Sequence, residues 1–137
     1  MTLGRVVALD HGTRRIGIAV SDALGITAQP VGVIAAGPDF ITELRRVMEG
    51  WDVDLIVVGL PIGLDGAEGT AAAQARAFAA EVEAATGHRT VLYDERFSTV
   101  VAERAMIAGG ARRDRRRRSR DGVAAAVFLQ DYLNGRR

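Results

Sequence analysis

Apolar positions along this chain fall into two rhythms, and the switches between them mark out its elements. Val6 to Leu9 is a short apolar run that ends in Asp10-His11-Gly12, a strand entering a turn. Arg15 to Val20 (RIGIAV) follows closely enough to pair with it as a hairpin, and a third strand is expected over about Thr27 to Ile34. Pro30 lies within that third strand and marks it as an edge strand, because proline has no N–H to donate to a ladder. The rhythm then changes. Pro38-Asp39 opens a helix with Phe40, Leu44, Val47 and Met48 on one face, stopped at Gly50.

Asp54 to Gly59 is continuously apolar after its first residue, as in a strand buried on both faces. The glycine-rich loop PIGLDGAEG leads into a helix over Thr70 to Thr86, with Ala71, Ala75, Phe78 and Val82 as its stripe and Gly87 as its stop. Thr90 to Tyr93 predicts a fifth strand, ending at Asp94-Glu95. Ser98 or Thr99 can cap a helix reaching about Ala108, and Gly109-Gly110 with an arginine run forms a linker. A last helix is expected from about Arg120 to Leu133. The order βββ-α-β-α-β-α-α predicts an α/β fold: an antiparallel meander extended by parallel strands into one mixed five-stranded sheet flanked by helices.

Composition narrows the chemistry. The chain has 137 residues, which suits a single domain spanning 1–137. It holds no cysteine, and all 18 basic residues are arginine. Thiol catalysis, disulfides, cysteine-ligated zinc, the P-loop lysine and Schiff-base chemistry are thereby excluded. There is no GxSxG elbow, and the histidines are His11 and His88. No apolar run approaches the ~18 residues that would span a bilayer, and MTLGRVVALD enters a strand pattern without a signal-peptide stretch, so a cytoplasmic protein is expected.

Charge is uneven. Net charge is +1, yet residues 112–120 read RRDRRRRSR, leaving the remainder net acidic. Such a segment suits a polyanion, although a solvated charge run is the plainer meaning.

Three acids stand where strands end or a helix begins: Asp10, Glu95 and Asp121. Carboxylates gathered at the carboxyl ends of strands repel one another unless a cation lies between them. Mg²⁺ and Mn²⁺ favour oxygen ligands, and a pair of such ions about 4 Å apart can clamp the attacking and leaving oxygens of phosphoryl transfer. Each acid also has a simpler reading. Asp10 can make the turn, Glu95 can pair with Arg96, and Asp121 can favour a helix N-terminus. Spacing alone leaves both open.

Four ordered blocks, ALDHGTRRIGIAVSD (Ala8–Asp22), IVVGLP (Ile56–Pro61), YDERFST (Tyr93–Thr99) and DGVAAAVFLQDYL (Asp121–Leu133), make the chain resemble the YqgF or RuvX family, named for Holliday junction resolution and pre-16S rRNA processing. The resemblance implies an RNase H-like fold and a divalent-metal-dependent nuclease, with Asp10, Glu95 and Asp121 as catalytic, metal-binding acids for Mg²⁺ or Mn²⁺. It further implies tight turning at Gly12, with Asp94 and Arg96 flanking the glutamate. Arg14, Arg15 and Arg96 become candidates to meet phosphate, as do Arg112, Arg113, Arg115, Arg116, Arg117 and Arg118 of the run. Two features depart from the family pattern: Arg120 stands where an apolar residue is usual, and the run is unusually dense in arginine.

The expected partner is nucleic acid, RNA favoured over structured or single-stranded DNA, with no membrane. The chain shows no obvious dimer device, Trp51 being expected in the core, so a monomer or weak dimer is expected. Competing readings are a Holliday junction resolvase, half of an actin-like ATPase, and a non-catalytic nucleic-acid-binding module. His11 is expected to be an exposed turn residue.

Overall fold

The computed structural model describes residues 4–63, 65–95 and 122–136. Five strands form one sheet: β1 (Arg5–His11), β2 (Arg15–Ser21), β3 (Ala28–Ala35), β4 (Val53–Leu60) and β5 (Thr90–Asp94), in the order β3-β2-β1-β4-β5. β1–β2 and β2–β3 are antiparallel, whereas β1–β4 and β4–β5 are parallel. This is the mixed sheet expected from the pattern, with β3 at an edge and Pro30 beside its register shift.

Alternation along the central strands builds two cores. Val7, Leu9, Ile56 and Val58 face α1 (Phe40–Met48) and α2 (Thr70–Thr86), where Phe40, Leu44, Phe78 and Val82 close the layer. Val6, Ala8 and Val57 face the other way, onto α3 (Val123–Gly135) with Ala125, Phe128, Leu129 and Leu133. Strands at the middle of a two-sided sheet need apolar residues at every position, which accounts for their unbroken runs. Trp51 packs against the α1/α2 core, as expected.

Two boundaries differ from the expectation. The buried stripe of α2 is Ala72, Ala75, Phe78, Ala79 and Val82, and Ala71 is exposed. Among so many alanines periodicity is nearly silent, and the larger Phe78 and Val82 set the phase, which places position 72 inward. The last helix begins at Val123, not Arg120, because Gly122 has φ +82° and interrupts the helical backbone. A Cβ on Gly122 would lie 2.5 Å from the Ile18 carbonyl oxygen and 2.7 Å from that of Gly32, so only glycine lets the chain enter α3 this close to β2 and β3. At the same edge the Gln130 side chain accepts the Ala28 N–H and donates to the Ile26 carbonyl, both at 2.9 Å. The helix expected over Ser98 or Thr99 to Ala108, and the arginine run, lie outside the described residues.

Candidate active site

Asp10 is half-buried near the end of β1 and pairs in register with Gly17 of β2. On the other side, the step after Leu9↔Val58 in the β1–β4 register falls on Asp10 and Gly59. Asp10 thus stands between two positions that carry no side chain, which leaves room above its carboxylate. Alternation puts Asp10 on the α3 face, following Val6 and Ala8.

Glu95 reaches the same face from β5. Val91 and Tyr93 precede it on that side and pack with the α3 core. Its side chain folds back over β4: a Cβ on Gly59 would lie 2.6 Å from Glu95 Oε1, 3.1 Å from its Cδ and 3.0 Å from Phe128 Cε2. Gly59 therefore makes a cradle for the Glu95 carboxylate, and an alanine would fill it. Beneath it, Tyr93 stacks with Phe128 at 6.4 Å between ring centroids and meets the edge of Tyr132 at 5.8 Å. Burial, then the Asp131 and Asp94 charges, pushes the Tyr93 hydroxyl pKa up, so the ring keeps its proton.

The β1–β2 turn borders this ground. The Gly12 N–H donates to the Arg15 carbonyl at 2.9 Å, and a Cβ there would sit 2.8 Å from that oxygen, so the expected tight turn is observed. Arg14 and Arg15 are exposed and line, with Asp10, Gly12 and Gly17, an open concavity of about 340 Å³. A half-buried carboxylate beside two exposed arginines suits a cation at the one and phosphate at the others.

Asp94 falls on the opposite face from Glu95, in alternation with Leu92, which packs beneath α2. Its charge is felt by Glu68, whose pKa is nevertheless held low, chiefly by the Arg76 hydrogen bond. That pair is a fork, with Nε and Nη2 of Arg76 donating to the two Glu68 oxygens at 2.7 and 2.9 Å, and it ties the loop after β4 to α2.

His11 corrects the reading of an exposed turn residue. It is the last residue of β1, and alternation turns it away from Asp10 onto the α2 face, where its ring stacks on Phe78 at 4.5 Å. Burial lowers its pKa. Asp121, Arg96 and Arg112 to Arg118 lie outside the described residues. Among the described residues no three acids or histidines come together as a metal-binding group, although Asp10 and Glu95 lie on one face of the sheet. The sequence reading overlooked Gly59. A lone glycine in an otherwise apolar, β-branched strand was the available signal, since it often marks close approach by another group.

Comparison with known proteins decides the family. Residues 4–135 match the model of RuvX, described as Holliday junction resolvase. The chain belongs to the RuvX family. Among curated relatives, a protein of Geobacillus kaustophilus named "Putative pre-16S rRNA nuclease" is 42% identical, with 97% of this chain and 99% of the relative covered. One of the same name from Anaeromyxobacter is 40% identical over 96% of this chain and 98% of its own length. Thermus thermophilus RuvC, solved in complex with a Holliday junction substrate, superposes with a TM-score of 0.59 over 97% of this chain and 95% of its own, at 17% identity. This RuvX chain accordingly has the RNase H-like fold and is a member of a nuclease family, not half of an actin-like ATPase.

Proposed function

We propose that the chain hydrolyses phosphodiester bonds in RNA, with the 5′ end of pre-16S rRNA as its substrate and Asp10, Glu95 and Asp121 as its catalytic acids. The observation that carries this reading is the Glu95 carboxylate folded over Gly59, toward the strand that holds Asp10 and on the same face of the sheet. Asp121 directly precedes Gly122, whose backbone lies against Ile18, one residue from the glycine that pairs with Asp10. That sequence neighbourhood supports Asp121 as the third acid.

The donor set is all carboxylate oxygen, which fits Mg²⁺ or Mn²⁺ and does not fit a soft metal. When bound, such an ion supplies a Lewis acid and an acidified water. The residues of the chain do the rest. Asp10 and Glu95 hold the charge, Gly59 seats the Glu95 carboxylate, Gly17 leaves Asp10 uncrowded from β2, and Arg14 and Arg15 orient backbone phosphate with paired N–H donors. The arginine run, which leads directly into Asp121, adds further phosphate contacts.

RNA is favoured over a junction by the names of relatives near 40% identity that match over nearly full length. A junction resolvase needs two active sites on one substrate, most simply in a C₂ dimer, whereas end processing requires only one. We assign the chain as a cytoplasmic monomer or weak dimer. Purified protein with Mn²⁺ or Mg²⁺, given precursor RNA, single-stranded DNA and a four-way junction side by side, should cut the RNA, and light scattering should find no stable dimer. A stable dimer that nicks junctions symmetrically and ignores single strands would transfer the assignment to junction resolution.

A further inference from the structure

Behind the strand that carries Asp10, on the opposite face of the sheet, lies a second cavity of about 410 Å³. It falls within the usual volume range of small-molecule sites, ~300–1,000 Å³. The half-buried His11 ring offers the accessible aromatic face, backed by the buried Phe78 and Phe40, with the Phe78 ring centroid 4.5 Å from that of His11 and 5.3 Å from that of Phe40. Gln74 and Glu81, two turns apart on α2, add an amide and a carboxylate, with Ala77 between them. His11 also borders the arginine-rimmed concavity above Asp10, so the two hollows meet at one residue.

Their linings divide by charge. The hollow at the β1–β2 turn holds Arg14 and Arg15, while the second has no arginine and one carboxylate. A nucleotide divides the same way, into an anionic phosphate and a neutral, planar base. A carboxylate repels phosphate and selects a base edge that presents hydrogen-bond donors. Guanine presents N1–H and N2–H₂ side by side, matching both oxygens of one carboxylate. Adenine, cytosine and uracil each set an acceptor next to their donor.

From this juxtaposition we propose that the His11–Phe40–Phe78 cavity is a base-binding subsite that takes a guanine, stacked on the aromatic surface and read by Glu81, with Gln74 as a second polar contact. It rests on the reading that the chain acts on RNA, and it adds that the strand wraps the end of β1, phosphate at one hollow and base in the other. Aromatic platforms of this kind lose about tenfold or more in affinity for each base when they are blocked.

The test needs no cleavage. The chain has two histidines, so its imidazole proton signals are readily separated, His88→Gln identifying the remaining one. With chelator present and the full chain intact, guanosine 5′-monophosphate should move the His11 ring signals upfield in a saturable way and leave His88 in place. Ribose 5-phosphate should move neither. Ala77→Trp, at an exposed helix position, should fill the cavity and abolish the shift while preserving the circular dichroism spectrum. Glu81→Gln, also exposed, should weaken guanosine monophosphate about tenfold and leave uridine monophosphate unchanged. A His11 signal indifferent to guanosine monophosphate, or equally responsive to ribose 5-phosphate, overturns the subsite. Equal affinity for both nucleotides in wild type overturns the guanine assignment. Cleavage of RNA without guanosine binding would leave the nuclease reading standing and remove this one; guanosine binding without cleavage would do the reverse.

Discussion

Gly59 and Asp22 show how much single residues decide here. A methyl group on Gly59 would meet Glu95 Oε1 at 2.6 Å, and the flexible carboxylate would have to give way. Gly59→Ala should therefore cost about 100-fold in turnover, the penalty of displacing the proposed catalytic Glu95 by roughly an ångström, while the melting temperature falls by only a few degrees, as ~1 kcal/mol would give. Wild-type turnover in a folded Gly59→Ala protein would contradict the cradle. Asp22 acts through stability instead. Its carboxylate accepts the Ile26 N–H at 2.6 Å and the Thr27 N–H at 3.1 Å. The Thr27 and Ile26 bonds hold its pKa below the ordinary value near 3.8. A depressed carboxyl pKa stabilises the fold fully above the ordinary value, and the contribution is lost as pH falls through the lower folded one. Asp22→Ala should lower the urea midpoint at neutral pH, with the gap to wild type closing below about pH 4. A gap independent of pH would refute this linkage. Both residues stand inside blocks that resemble the family, but the role of Gly59 depends on the Glu95 side chain, 36 positions away, and is not visible in its own neighbourhood.

Among the elements, β1 carries the most information, because one step along it changes the face of the sheet. Asp10 turns toward α3 and His11 toward α2. Strand type and the mixed sheet were legible because apolar runs and turns are local, whereas the side on which Asp10 lies comes from the structure. His11 was misread because its burial depends on Phe78, 67 positions away, which sequence spacing cannot place. The stripe of α2 was misplaced at Ala71 for a different reason: alanine is nearly neutral between core and surface. α3 anchors the face on which Asp10 and Glu95 lie, and Leu129 at its centre is fully buried. Leu129→Ala should cost about 2–5 kcal/mol through lost burial and the cavity left behind, read by urea unfolding. A loss well under 1 kcal/mol would mean that α3 is not seated as described.

For the whole molecule, a near-neutral net charge conceals a division between an acidic body and the arginine run at 112–120. The run is proposed to hold phosphate without reading bases, so replacing Arg115, Arg116, Arg117 and Arg118 with serine should weaken all RNA sequences alike and flatten the slope of log affinity against log salt. An unchanged slope would return the run to a solvated surface. The fold was readable from the sequence because four separate blocks agreed on it, while convergence of the acids was not, since they come from elements far apart along the chain. The sheet brings Asp10 and Glu95 to one face, and the account as a whole depends on those acids working as one unit with Asp121. Its most direct measurement is precursor-RNA cleavage by wild type, Asp10→Asn, Glu95→Gln, Asp121→Asn and the triple variant, with Mn²⁺ and in excess chelator. Each single variant should lose about as much activity as the triple, because parts of one unit are not additive, and chelator should silence the wild type. Full cleavage in chelator, or an active single variant, would contradict the metal-dependent site.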